Sequence, residues 1–147
     1  MDVTLNRKLL DVLSDYNLAE VNAKYREDIK NVLAQDWPTE QKKEEIERII
    51  ICVCRDKLTK VLTKELGDEE EAKLHVLGFF VATDMTGEEW VKLAKHPRVF
   101  LPPFRKYREL QQNQDELGDD GVKILQDAMT DILVACGVGP KLFCTRP

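Results

Sequence analysis

The residues with the clearest potential for binding chemistry are gathered in one stretch of the chain, residues 92–108. This basic-aromatic segment holds six of the chain's 22 basic residues and none of its 27 acidic ones, although the whole chain has a net charge of −5. It also contains Phe100, Phe104 and Tyr107, and Trp90 lies just before it. Arginine and aromatic side chains are the types that most often anchor protein interfaces, so this segment is the first candidate for a binding surface.

Arg105 and Arg108 lie three residues apart, so a helix through them places both on one face. A guanidinium donates two parallel hydrogen bonds to a carboxylate or a phosphate. We therefore predict that the segment binds another protein through that protein's acidic surface. The residues of this predicted partner-binding surface are Trp90, Lys95, Arg98, Phe100, Arg105, Tyr107 and Arg108.

Three alternatives for the same segment stay open. The cations could bind a nucleic acid or another anionic ligand, with bases stacked on the aromatic rings, although nucleic-acid binders are usually basic overall. The aromatics could instead be core residues, with the cations paired to acidic helices of the same chain. The basic segment of one copy could also bind the acidic surface of a second copy, which would give a homo-oligomer.

The sequence offers no catalytic constellation. The two histidines are His75, which lies between apolar neighbours and is expected at the edge of the core, and His96, which precedes Pro97 at a predicted helix end. No glycine-rich phosphate loop, nucleophile elbow or helical metal-binding motif is present. We therefore predict a protein that is not an enzyme and that has no cofactor and no metal site.

The four cysteines are predicted to be free thiols. Cys52 and Cys54 lie in an apolar run and Cys136 ends an apolar helix, so we expect buried thiols whose pKa is raised by burial. Their spacing matches no common zinc site. Cys144, on the C-terminal tail, is the thiol that we expect to be exposed.

Length and composition indicate one soluble globular domain, residues 1–137, followed by an irregular tail, residues 138–147. No apolar run approaches the 18 or so residues of a membrane span, so no membrane partner is expected. The first residues lack the basic-then-apolar order of a signal peptide. We predict a cytoplasmic protein, with the nucleus as the alternative.

Apolar periodicity and capping residues predict seven helices. The residues expected to start or end them are, in chain order, Thr4, Asn17, Pro38, Thr39, Gly67, Asp68, Thr86, Pro97, Pro103, Asp119 or Asp120, and Gly137. The third helix is the longest and spans residues 39–66. Residues 98–103 are predicted to be extended, because their prolines exclude a regular helix, and Pro103 is expected to open the sixth helix.

Two of these helices have apolar residues on every side, which predicts that they are buried on every side. They are the third helix, around residues 49–54, and the fourth helix, around residues 74–82. A short buried strand is the alternative for residues 49–54. Gly78, inside the fourth helix, suggests that another helix approaches closely there. The predicted fold is therefore all-α, a single globular bundle of about seven helices with two central apolar helices.

Overall fold

The computed structural model describes residues 3–18 and 21–141, and in these ranges it contains seven α-helices and no β-strand. The helices are α1 (Val3–Asp15), α2 (Ala23–Leu33), α3 (Thr39–Leu66), α4 (Glu69–Ala82), α5 (Gly87–Lys95), α6 (Pro97–Gln112) and α7 (Gly121–Ala135). Two single-turn 3₁₀ helices connect α6 to α7. The predicted all-α bundle of seven helices is confirmed.

The long helix α3 is the element against which α2, α4 and α5 pack, while α1 packs on α2 and α6 on α7. Its buried face repeats every four residues, through Ile50, Cys54, Leu58 and Leu62. It ends where the sequence predicts, because Gly67 adopts a left-handed conformation, with φ 71°, that glycine tolerates without strain. The alternative of a buried strand at residues 49–54 is wrong.

The caps predicted for α4 and α5 are confirmed. The Asp68 carboxylate accepts hydrogen bonds from the backbone N–H groups of Glu70 and Glu71. Thr86 and Glu89 form a reciprocal capping box, in which each side chain accepts from the other residue's N–H. Asp120 precedes α7, but its side chain makes no capping hydrogen bond.

The second helix is shorter than predicted, and its cap is Asn22, not Asn17. The Asn22 side chain accepts a hydrogen bond from the N–H of Tyr25 at 3.2 Å. Asn17 has φ 57° and follows the end of α1, a left-handed position that asparagine also favours. At its other end α2 stops at Leu33, where Lys42 Nζ donates to the carbonyl of Leu33 at 3.1 Å.

Residues 98–103 are helical, which corrects the prediction that they are extended. α6 starts at Pro97, its first helical residue, and continues through Pro102 and Pro103. Phe100 and Phe104 are both fully buried, with ring centroids 5.4 Å apart. An extended chain would hold residues four apart at about 13 Å, whereas a helix places them side by side on one face. The packing of these rings therefore outweighs the two backbone hydrogen bonds that the prolines cannot make.

The cysteines follow the prediction in part. Cys54 is buried and Cys136 is half-buried, and burial raises their thiol pKa values to about 12 and about 11. Cys52 is exposed, which corrects the expectation of a buried thiol, because it lies on the side of α3 between α2 and α4. Cys144 lies outside the described residues.

Candidate functional site

The aromatic residues of the predicted partner-binding surface are mostly core residues. Trp90 is 2% exposed and packs against Phe80, while Phe100 is 0% exposed and lies between Phe79 and Phe104. Tyr107 is half-buried. The prediction of a partner surface is therefore corrected for Trp90 and Phe100, because neither side chain can reach a partner without unpacking the core.

The two arginines with a shared face are paired within the molecule. Arg105 donates through Nε and Nη2 to Glu65 at 3.0 and 2.7 Å. Arg108 donates through the same two nitrogens to Glu71 at 2.7 and 3.3 Å. These guanidinium groups lower the pKa values of both carboxyl groups and connect α6 to the end of α3 and the start of α4. Their arrangement matches the alternative in which the cations pair with acidic helices of the same chain.

His75 belongs to the same cluster. Its Nε2 lies 3.3 Å from Glu71 Oε2, and its ring packs edge-on against Phe104 at a centroid distance of 5.1 Å. Burial lowers the pKa of His75, and the Glu71 carboxylate opposes that shift. His75 thus lies at the edge of the core, as the sequence predicts, and it helps to hold α4 against α6.

The basic segment keeps a smaller exposed set of cations. Lys95, Arg98 and Lys106 are exposed and form no ion pair within residues 3–18 and 21–141. Lys92 lies 3.5 Å from the carbonyl oxygen of Gly137. Of the predicted surface, Lys95 and Arg98 are the two residues that remain available to an acidic partner.

One open cleft brings a histidine near a cysteine. It has a volume of about 480 Å³ and lies between α1, α5 and the end of α7, with Asp15, Glu88, His96 and Cys136 in its lining. A cysteine nucleophile needs a base within hydrogen-bond reach and a lowered pKa. No hydrogen bond joins His96 to Cys136 in the described chain, and burial raises the pKa of the Cys136 thiol to about 11. The arrangement is unsuited to thiol catalysis.

The feature that the sequence reasoning missed is the outer side of α4. This α4 face consists of Leu74, Leu77, Phe80 and Val81, which are 68%, 46%, 39% and 58% exposed. Residues 74–83 include no aspartate, glutamate, lysine or arginine. The sequence signal is the set of apolar residues on every side of this helix, and the prediction that α4 is buried on every side is wrong. Only Ala72, Val76 and Phe79 of this helix are buried.

Gly78 lies on the same outer side of α4. A Cβ atom built at this position has no neighbouring atom within 4 Å, so the predicted close approach of another helix within the molecule is wrong. Together with Leu74, Leu77 and Val81, Gly78 occupies positions i, i+3, i+4 and i+7 of one helix stripe. Nothing in the described chain covers this stripe.

Beside the α4 face runs an open groove of about 410 Å³ between α2 and α4, with α3 as its floor. Its lining residues are Tyr25, Cys52, Arg55, Asp56, Thr59, Lys73, Val76 and Leu77. On one wall the Tyr25 hydroxyl donates to the Asp56 carboxylate. Leu77 belongs both to the groove and to the α4 face, so the two form one continuous surface.

Arg55 is the unusual charge in this groove. Its guanidinium carbon lies 4.2 Å from the centroid of the Phe80 ring, a cation–π contact at the border of the α4 face. Its Nε atom is buried and has no hydrogen-bond acceptor in the described chain. A buried donor without an acceptor costs about 1–3 kcal/mol, and such donors are rare in native proteins, so the Arg55 Nε–H is an unusual feature of this groove.

No protein-family model, curated protein or solved structure shows a significant match to this chain. In the ranges that the structure describes, no helix is long and apolar enough to cross a bilayer. Nor do any three histidine, cysteine, aspartate or glutamate side chains there converge in a way that could hold a metal ion. A function is therefore inferred from the chemistry of the exposed surface.

Proposed function

We propose that this chain is a non-enzymatic protein-interaction module, an adaptor or regulator, and that its partner binds over the α4 face. The observation that carries the proposal is the exposure of four large apolar side chains on one helix that has no charged residue from 74 to 83. A surface helix normally presents polar and charged residues to water. Contiguous exposed apolar patches on soluble proteins mark interaction sites.

The composition of the α4 face supports an interface for a protein. The centres of protein interfaces are depleted of charged residues and enriched in aromatic and apolar ones. The other exposed helices of this domain follow the ordinary rule; α2, for example, exposes Lys24, Arg26 and Glu27. Elsewhere in the described chain a helix exposes at most two large apolar side chains, as α1 and α7 do, whereas α4 exposes four.

The basic segment supports a second candidate, which is the binding of an acidic protein surface or another anionic ligand through Lys95 and Arg98. These two cations are exposed and unpaired in the described chain. Arg105 and Arg108 contribute little to such a site, since their hydrogen-bond donors are already directed at Glu65 and Glu71. We rank this candidate below the α4 face because exposed charges are ordinary on a protein surface and exposed apolar helices are not.

The test is affinity capture followed by mass spectrometry with three versions of the chain. The α4 variant is Leu74→Lys/Val81→Lys, and the control is Leu10→Lys/Val134→Lys, which replaces the same residue types at positions 65% and 53% exposed on α1 and α7. All four sites are exposed, so both variants should fold, which circular dichroism would check. The proposal predicts proteins that are captured by the native chain and the control but not by the α4 variant. Identical capture by all three chains would refute it.

A further inference from the structure

Arg55 gives the docking surface a chemical preference. Its positive charge lies at the border between the α4 face and the groove, stacked on Phe80. The other charged residues that line the groove are already engaged, because Lys73 pairs with Glu69 at 3.2 Å and Asp56 accepts from Tyr25. Arg55 is therefore the cation of this groove that lacks a carboxylate, and its buried Nε lacks an acceptor.

The size of the α4 face argues against a second copy of this chain as the occupant. Four large apolar side chains that are about half exposed present on the order of 300 Å² of apolar area, since an aromatic side chain has roughly 150–250 Å² and an aliphatic one somewhat less. A stable interface buries about 800 Å² on each partner. Two α4 faces in contact fall well short of that, whereas a helix lying in the groove would touch α2, α3 and α4 together.

We propose that the occupant is an amphipathic helix of another protein, whose apolar stripe covers Leu77 and Phe80 and whose edge carries a carboxylate that accepts hydrogen bonds from Arg55. This inference rests on the proposed function and specifies the partner. Helices bind in apolar grooves through residues spaced at i, i+3 or i+4, and i+7. The carboxylate would accept charge-assisted hydrogen bonds from the terminal guanidinium nitrogens of Arg55, in a setting partly shielded from water by Phe80.

The experiment uses a display library of 16-residue helices with randomised surface positions as the probe. Selection on the native chain is paired with counter-selection on the Leu74→Lys/Val81→Lys variant, so that enriched helices depend on the α4 face. We expect enriched helices to share an apolar stripe and one flanking aspartate or glutamate. Replacing that residue by glutamine in the synthetic peptide should weaken binding to the native chain by about tenfold.

Variants of the protein test whether the carboxylate of the peptide binds to Arg55. Arg55→Gln should bind the acidic peptide about tenfold more weakly and should no longer distinguish it from the glutamine peptide. Lys73→Gln is the matched control, because it removes one charge from the same groove at a residue that is already paired. It should change affinity by less than about twofold. The peptide substitution keeps the test valid if Arg55→Gln reduces folding.

Three outcomes separate the two levels of the proposal. Helices with the expected acidic residue, coupled to Arg55, support both. Helices that depend on the α4 face but show no acidic preference, or equal sensitivity to Arg55→Gln and Lys73→Gln, overturn the pairing with Arg55 and leave the docking face in place. No helix that distinguishes the native chain from the α4 variant overturns the docking face itself.

Discussion

Arg108 Nε lies 2.7 Å from Glu71 Oε2, and this ion pair joins the C-terminal half of α6 to the first turn of α4 across 37 residues of sequence. The same carboxylate oxygen lies 3.3 Å from His75 Nε2. Since Arg105 and Glu65 form a second pair beside it, α6 is attached to the α3–α4 hairpin by charges as well as by aromatic packing. The two arginines of the basic segment that form ion pairs therefore connect helices of the same molecule.

Removing the Arg108 guanidinium should destabilise the fold modestly. The Arg108 and Glu71 side chains are each about one-third exposed, so we expect Arg108→Gln to lower the free energy of unfolding by up to about 1 kcal/mol. Urea denaturation at neutral pH would measure the change. Lys106→Gln, which removes an exposed and unpaired cation of the same helix, is the control. Equal effects of the two substitutions would contradict a structural role for the pair.

Stability should fall as the pH drops below the ordinary pKa of His75, which is 6.5. Burial lowers the pKa of this histidine in the folded chain, so the unfolded chain takes up the proton first and is favoured on acidification. The Glu71 carboxyl, whose pKa is lowered by Arg108, keeps its charge until the pH falls below its ordinary 4.5 and does not mask the effect. Between about pH 7.5 and 5.5 the native chain should lose more stability than His75→Gln. Parallel pH curves for the two chains would argue against a buried neutral histidine.

The features that the sequence predicted well are set by neighbouring residues. The full span of α3, the Thr86–Glu89 capping box and the left-handed Gly67 each depend on interactions within about four residues. The incorrect prediction of a cap at Asn17 also rests on neighbouring residues. It fails because asparagine is favourable both before a helix and after one. Sequence alone does not show which of these two roles a given asparagine has.

The features that the sequence did not predict depend on distant residues. The helix through Pro102 and Pro103 forms because Phe100 and Phe104 pack on α4. Phe100 contacts Phe79, and Phe104 contacts His75. Arg105 and Glu65 are 40 residues apart, and nothing local selects one as the partner of the other. The sequence does not distinguish the α4 face from core, since a helix that is apolar on every side has the same sequence pattern whether or not the rest of the chain covers it.

Gly78→Ala should stabilise the protein by about 0.5–1 kcal/mol, because alanine is the better helix former and its methyl group meets no atom within 4 Å. Gly87→Ala is the informative comparison, as it makes the same chemical change at the first residue of α5. There a Cβ would lie 2.9 Å from Tyr16 Cε1 and 3.2 Å from Glu47 Cγ, so we expect a loss of stability. Thermal unfolding of the two variants beside the native chain would show opposite shifts. Shifts of the same sign would contradict the packing described around one of these glycines.

Adjacent residues of α6 should differ sharply in their sensitivity to truncation. Phe100 is 0% exposed, and Phe100→Ala should cost about 3–5 kcal/mol, because the cavity lies among Phe79, Phe104 and their neighbours. Val99 is 41% exposed, and Val99→Ala should change stability by less than about 0.5 kcal/mol. Urea denaturation would measure both. A small effect at Phe100 would mean that this ring is not a core residue and would restore it as a candidate for partner binding.

The two halves of the basic segment should respond differently to charge reversal. Arg105→Glu/Arg108→Glu replaces two ion pairs by two contacts between like charges, with Glu65 and Glu71, so it should lower the melting temperature. Lys95→Glu/Arg98→Glu changes the net charge by the same amount at exposed residues without an ion pair in the described chain, and should leave the melting temperature nearly unchanged. A partner lost only from the first variant could therefore reflect a perturbed fold, whereas the second variant tests the surface itself. A partner lost from Lys95→Glu/Arg98→Glu but retained by Leu74→Lys/Val81→Lys would move the binding site from the α4 face to the basic segment.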